Sequence, residues 1–172
     1  MNRIVVLAVS VVMVLVVAAP TAFADRTQSP PYPIDETPLI LPATGDPNAY
    51  DNLSCEFPVS VVSSGMEKPV QLPSSFTIIE AGRETTLTNL DTGKQVTLNV
   101  TGAWLFGGVK DEPSLLKDTF TGTNLVGFEE TGFVLLEGHF TRITMQDNDG
   151  NYIVVQQLTG EGQITDVCEL LS

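Results

Sequence analysis

The stretch TTLTNLDTGKQVTLNVT, residues 85–101, carries the pattern that decides the fold. Val96, Leu98 and Val100 alternate with polar residues, which is the period of a strand with one apolar and one polar face. The Asp-Thr-Gly-Lys tetrapeptide before them places Gly93 where a hairpin turn needs a positive φ. The stretch therefore predicts two antiparallel strands joined by a short turn.

The same kind of pattern fills residues 55–172. Phe57, Val59 and Val61 again alternate with their neighbours, and Phe133–Leu136 is a short apolar run. Thr, Val and Gly are frequent, which favours strands over helices. Turn residues separate the runs at short intervals, and residues 147–150 repeat the hairpin chemistry. We expect about eight to ten strands in one all-β domain.

Successive hairpins predict an antiparallel meander. Closure into a small β-barrel would protect the edges of so many short strands, and a two-sheet β-sandwich is the alternative. The best stretch for a helix, Glu112–Asp118, is long enough for only one or two turns.

Cys55 and Cys168 lie at the two ends of this domain. Two cysteines in a secreted domain most simply form one disulfide. Neither lies in a Cys-x-x-Cys or Cys/His cluster, so a reactive or metal-binding thiol is the weaker interpretation. We expect a disulfide that joins the first strand to the last.

Residues 1–24 have the features of a secretory signal peptide. Arg3 precedes an apolar run over Ile4–Ala19, and Ala22-Phe23-Ala24 fits a small-x-small cleavage site. The run is short for a membrane span of roughly 20 residues, so an uncleaved N-terminal anchor is the alternative. We therefore expect a secreted, extracellular protein cleaved after Ala24.

Residues 25–54 contain repeated prolines that interrupt any periodic pattern, and we predict a flexible arm there. Within it, Leu41-Pro42-Ala43-Thr44-Gly45 matches the LPxTG pattern of proteins that sortase attaches to Gram-positive cell walls. The apolar span and basic tail that follow such a signal are missing. We interpret the pentapeptide as a turn.

The chain is acidic, with 21 Asp and Glu against 8 Lys and Arg and a net charge of −13. Cleavage after Ala24 would remove one basic residue and no acidic one. This charge excludes sequence-independent nucleic-acid binding, which depends on Lys and Arg, and disfavours anionic membrane surfaces. We predict no nucleic-acid partner and no membrane association after signal cleavage.

The sequence has one histidine, His139, and Glu137 projects from the same face of its strand. A carboxylate beside an imidazole is suited to proton transfer if that face lines an interior. The alternative is that both lie on the solvated face, opposite Leu136 and Phe140. No third orienting group is evident, so the pair is only a weak candidate for catalysis.

Two other groups of residues are weak candidates for binding. Trp104 and Phe106 precede a Gly-Gly pair and either line a pocket or belong to the core. Asp147 and Asp149 resemble the start of a calcium loop, but the closing Glu is missing and a hairpin turn explains them. We expect no metal and no cofactor.

Three motifs resemble those of small secreted actinobacterial proteins of unknown function. They are the Cys-x-Phe-Pro-Val sequence at Cys55–Val59, the Thr-Asn-Leu-Asp-Thr-Gly hairpin and the Asp-Val-Cys sequence that ends at Cys168. The resemblance implies an extracytoplasmic bacterial protein and supplies no activity.

These observations predict a secreted, disulfide-linked β-barrel that binds a small apolar ligand or an extracellular protein. One alternative is a small-barrel isomerase or cyclase that uses Glu137 and His139. A second alternative is a structural or interaction protein of the cell envelope, with residues 25–54 as its spacer.

Overall fold

The computed structural model describes residues 30–49, 53–128, 131–147 and 152–172. These residues form an antiparallel all-β structure with one short C-terminal helix. The elements are β1 Tyr32–Pro33, β2 Leu39–Leu41, β3 Val59–Leu72, β4 Ser75–Asn89, β5 Gln95–Asn99, β6 Gly102–Val109, β7 Glu112–Phe128, β8 Gly132–Gln146, β9 Tyr152–Asp166 and α1 Val167–Leu171.

The strands form one sheet in the order β1-β3-β4-β6-β7-β8-β9, with β2 also pairing β3 and β5 also pairing β4. The predicted all-β class and antiparallel meander are confirmed. In the described part of the chain the sheet is open, since no pairing joins β9 to β3. Glu112–Asp118, the best stretch for a helix, lies in β7 because residues 115–118 pair with β8 and residues 116–118 pair also with β6.

The predicted 85–101 hairpin is present as β4 and β5. Gly93 has a φ of 76°, and its amide donates to the Asn89 carbonyl at 2.8 Å. β5 pairs with Glu84–Thr88, whereas β6 pairs with Ser75–Ile79. The two strands therefore follow one edge of β4 in succession.

Four glycines lie in one row across the sheet. Gly102 pairs with Gly122, Gly122 with Gly138, and Gly138 with Gly162. Gly138 and Gly162 have φ values of 144° and 145°, which disfavour L side chains, and their backbones approach the facing strand so closely that a Cβ would collide with a carbonyl. We call this row the glycine crease.

The sheet folds back on itself across the glycine crease. The rings of Phe120 and Phe128, both on β7, have centroids 5.6 Å apart. Eight residues of straight strand would separate them by about 26 Å. The guanidinium of Arg142 on β8 also lies 4.4 Å from the Phe128 ring centroid, although its direct partner on β7 is Asp118. The tip of the β7–β8 hairpin is thus folded over the rest of its own two strands.

Folding at the crease creates two apolar clusters. The first joins both ends of the sheet and α1, and consists of Leu41, Leu53, Cys55, Val59, Val61, Leu87, Val100, Phe133, Leu135, Val167 and Leu171. The second lies inside the fold of the β7–β8 hairpin and consists of Phe120, Phe128, Val134, Leu136 and Phe140. Successive residues of the 133–136 run enter alternate clusters, which explains why the run is apolar without interruption.

Part of the segment predicted as a flexible arm is built into the sheet. β1 and β2 both pair with β3, and Leu41 and Leu53 are completely buried in the first cluster. Prolines are compatible with these positions because short strands at a sheet edge lose few hydrogen bonds. Over residues 30–49 the structure therefore differs from the expected arm.

The predicted disulfide between Cys55 and Cys168 is confirmed, with Cα atoms 5.4 Å apart and a sequence separation of 113. Cys55 precedes β3 and Cys168 lies in α1, which follows β9. Asp166 caps α1 by accepting hydrogen bonds from the amides of Cys168 and Glu169. The disulfide thus ties the two ends of the sheet beside the first cluster.

We expect the double variant Cys55→Ser/Cys168→Ser to lose about 4 to 5 kcal/mol of unfolding free energy, because a long loop is no longer closed in the unfolded chain. Urea denaturation measures the loss. Reductant should bring the wild-type protein to the same midpoint and leave the variant unchanged. An unchanged midpoint in the variant would contradict this role.

We expect Gly138→Ala to destabilise the fold by at least about 3 kcal/mol, because the new methyl group meets the Glu161 carbonyl in a backbone conformation reserved for glycine. Gly93→Ala is the matched control. Its φ is also positive but nothing lies within 4 Å of the added methyl, so the cost should be about 1 to 2 kcal/mol. Equal urea midpoints for the two variants would argue against a close-packed crease.

Candidate functional site

The structure places Glu137 and His139 on either side of Gly138 in β8. Both side chains are exposed, whereas Leu136 and Phe140 of the same strand are buried. His139 Nδ1 lies 3.3 Å from the Thr121 hydroxyl on β7. The pair therefore belongs to an outer surface of the sheet and has no apolar enclosure.

One further carboxylate lies beside this pair. Glu161 on β9 is the direct cross-strand partner of His139, and Gln163 is the partner of Glu137. No sequence pattern singles out Glu161, because only the register of β8 with β9 brings it opposite the histidine. Glu137, His139 and Glu161 thus form an exposed, mostly acidic patch at the β9 edge of the sheet.

Trp104 and Phe106 lie on β6, and Trp104 packs against the second cluster. The Trp104 and Phe120 rings are stacked with centroids 6.3 Å apart, and Trp104 Nε1 donates to Asp118 Oδ1 at 2.9 Å. The Trp104 and Phe106 ring centroids are 6.1 Å apart. The two residues that were candidates for a pocket lining therefore contact other side chains of the protein.

Asp118 links this aromatic group to β8. Arg142 is its direct partner, with Nε 3.8 Å from Asp118 Oδ2, and both residues are only 7% exposed. The same guanidinium covers the Phe128 ring at the folded hairpin tip. A cation over an aromatic face is attractive. Arg142 therefore helps to hold the tip down.

The structure describes only one of the two calcium-loop candidates, Asp147 and Asp149. Asp149 lies outside the described residues, whereas Asp147 follows β8. In the part of the chain that the structure describes, no three His, Cys, Asp or Glu residues are grouped so as to hold a metal ion.

A buried polar network that no sequence pattern marks links β1, β3 and β4. Glu67 on β3 is the direct partner of Glu80 on β4, and Glu80 forms an ion pair with Arg83. Arg83 Nη2 donates to Ser63 Oγ at 3.0 Å. Tyr32 on β1 donates its hydroxyl to Glu67 Oε1 at 2.7 Å. Glu67 and Arg83 are at most 5% exposed.

Burial of this network shifts two pKa values. It raises the pKa of the Glu80 carboxyl, against the opposing effect of the Arg83 charge. Burial, the hydrogen bond to Glu67 and the Glu67 charge together raise the pKa of Tyr32 to about 12. The protonated Tyr32 hydroxyl therefore links β1 to the Glu67 carboxylate on the neighbouring strand β3. No sequence signal marked the network, because the β3–β4 register alone brings Glu67 and Glu80 together.

The LPxTG match lies next to the disulfide. Leu41 is completely buried, and the Thr44 amide donates to the Cys55 carbonyl at 2.7 Å. Gly45 follows with a φ of 92°, in agreement with the interpretation as a turn. The pentapeptide is therefore part of the folded structure.

The signal peptide predicted over residues 1–24 lies outside the described residues. The disulfide is typical of an oxidising compartment outside the cytoplasm. Among the residues that the structure describes, no helix has the length and apolar character needed to cross a membrane.

Comparison with known proteins returned no match: no family model, no curated protein and no solved structure matches the chain. The resemblance to small secreted actinobacterial proteins stays a prediction.

We expect Glu67→Gln to lower the pKa of Tyr32 from about 12 towards 10, because the charge that opposes tyrosinate is removed. A folded pKa raised above the unfolded value means that the Tyr32 contribution to stability is complete below pH 10 and is lost as the pH rises from about 10 to 12. Ultraviolet absorbance of tyrosinate during a base titration measures the change, with Tyr32→Phe assigning the signal. Glu84→Gln, an exposed acid on β4, is the control. An identical titration in wild type and Glu67→Gln would show that Glu67 does not control Tyr32.

Proposed function

We propose that the mature chain is a secreted, non-catalytic binding protein that engages an extracellular protein partner. Cleavage after Ala24 would release it, and the disulfide suits an oxidising environment. The acidic charge keeps it soluble and away from nucleic acid.

The exposed edge at β9 carries this proposal. Among the described strands β9 pairs only with β8, whereas β3 at the other end is covered in part by β1 and β2. Ile153, Val155 and Ile164 on β9 are 46%, 54% and 46% exposed. Covering the exposed half of each side chain is worth on the order of 1 kcal/mol. Ile153 pairs with Met145 and Ile164 with Leu136, which places the two isoleucines on opposite faces of the sheet, so a partner that contacts both would lie along the edge itself.

Three other interpretations have less support. Trp104 and Phe106, the candidates for lining a small-ligand pocket, are occupied by contacts with each other and with Phe120 and Asp118. An isomerase or cyclase needs an enclosed acid and base, and Glu137 and His139 are exposed. A cell-envelope spacer needs a free arm, and β1 and β2 pair with β3. A closed barrel would need a pairing for β9 and would remove the edge on which the proposal rests.

A photoreactive residue placed at Val155 tests the proposal. In the culture medium of the native host we expect one discrete cross-linked product, which mass spectrometry identifies as a single partner protein. The control position is Ile79 on β4, which is 39% exposed, is separated from β9 by three strands in the sheet and should give no such product. Replacing Ile153 and Ile164 by Ser should weaken binding of the purified partner at least tenfold. Equal labelling from both positions, or binding unaffected by the two replacements, would refute the proposal.

A further inference from the structure

The two halves of β9 differ in how regularly they pair with β8. Residues 159–166 are in unbroken register with residues 141–134, whereas the pairing of the first half is interrupted twice, on either side of Ile143. In a regular antiparallel strand the backbone N–H and C=O groups of alternate residues point away from the partner strand. The 159–166 half therefore keeps one register on both sides of Gly162, and its outward backbone donors and acceptors follow the bend of the glycine crease. We call this half the regular edge.

Among the described residues no segment covers the regular edge, and it has no bulge, Lys or Pro. Natural edges carry Lys or Pro, contain bulges or are covered by other segments. Residues 159–166 include no Lys, Arg or Pro, and all except Thr165 are exposed. By contrast, β3 contains Lys68 and Pro69 and is covered by β1 and β2. The two ends of the same sheet thus differ in whether another strand has access.

The charge beside the regular edge indicates which kind of strand fits. Glu161 lies on this edge, and Glu137 lies on the same outer face of the neighbouring strand. β9 carries no basic residue, and the whole chain has a net charge of −13. A second copy would bring its own acidic strand against this one, and like charges across a strand pair are destabilising. A strand with Lys or Arg on the outer face is complementary.

On the opposite face of the regular edge, Ile164 is the apolar side chain, and it follows Gly160 and Gly162 and precedes Asp166, which caps α1. Ile164 is 46% exposed, and its cross-strand partner Leu136 is completely buried in the second cluster. An aliphatic side chain on an added strand would extend that cluster over Ile164. Side chains of a strand alternate between faces, so the matching sequence alternates basic and aliphatic residues.

Resting on the proposed function, we propose that residues 159–166 accept an added strand from an extended partner segment with Lys or Arg on one face and β-branched or aliphatic side chains on the other. Main-chain hydrogen bonds would supply affinity, while Glu161 and Ile164 would select the sequence.

Binding of a synthetic octapeptide of alternating Lys and Val tests the inference. Titration calorimetry should detect binding, and hydrogen exchange should show slowed amides within residues 159–166. A peptide of the same sequence with an N-methyl group on every residue keeps the charges and side chains but has no backbone N–H on either edge to donate to the ladder, so it should bind at least tenfold more weakly. Equal binding of both peptides would overturn strand addition.

Variants of the protein separate the two recognition elements. Glu161→Lys and Ile164→Thr should each weaken peptide binding about fivefold or more, an effect of about 1 kcal/mol. Glu84→Lys is the control, because it makes the same charge change at an exposed site on β4. If Glu84→Lys loses as much peptide affinity as Glu161→Lys, net charge alone explains the effect, and the inference is overturned.

Two outcomes distinguish this inference from the proposed function. A partner cross-linked at Val155 that leaves the amides of residues 159–166 unprotected would overturn strand addition and leave partner binding intact. Concentration-dependent dimerisation that protects those amides, seen by sedimentation and hydrogen exchange, would make a second copy the occupant and also overturn the inference. If no partner is cross-linked and no peptide binds, both the proposed partner binding and the strand addition are refuted.

Discussion

The glycine crease is the constraint on which the rest of the structure depends. A flat meander of strands this long would have one large apolar face and too few other elements to cover it. Folding at Gly122 and Gly138 brings the tip of the β7–β8 hairpin back over its own strands. Both faces of that tip are then buried, one in each apolar cluster. The absence of side chains at four aligned positions therefore supplies the second layer that a single sheet lacks.

Polar groups hold two segments of the fold in place, the tip of the β7–β8 hairpin and β1. Arg142 holds the folded tip through Phe128 and Asp118, and the Glu67–Glu80–Arg83 network holds β1 through Tyr32. Buried charges of this kind contribute little net stability when intact, but removal of one partner is costly. In this protein the buried charges determine which segments lie against the sheet, namely the tip of the β7–β8 hairpin and β1. The disulfide joins the segment before β3 to α1, two parts of the described chain that no strand pairing links.

Local patterns in the sequence were sufficient to predict the strands, the 85–101 hairpin and the disulfide. Alternation of apolar residues reports burial directly, and turns such as the one at Gly93 need particular residues. The crease could not be predicted in this way, because Gly102, Gly122, Gly138 and Gly162 form a row only once four registers are known. Glu161 beside His139 and Glu80 beside Glu67 are hidden for the same reason. The proline-rich segment was interpreted as an arm because pairing with β3 depends on two very short strands.

The acidity of the chain and the exposed edge at β9 are best understood together. An uncovered strand is a hazard, because copies of the same chain can pair edge to edge. β1 and β2 cover part of β3 and so reduce the hazard at one end of the sheet. At the other end, β9 is the last of the described strands and pairs only with β8. At β9 the acidic residues act instead of a covering segment, since Glu161 of one copy would face the negative field of another. Repulsion between copies does not extend to a basic segment, for which the same charges are attractive. The proposed strand addition would therefore use an edge whose charge repels a second copy and attracts a strand of the opposite charge.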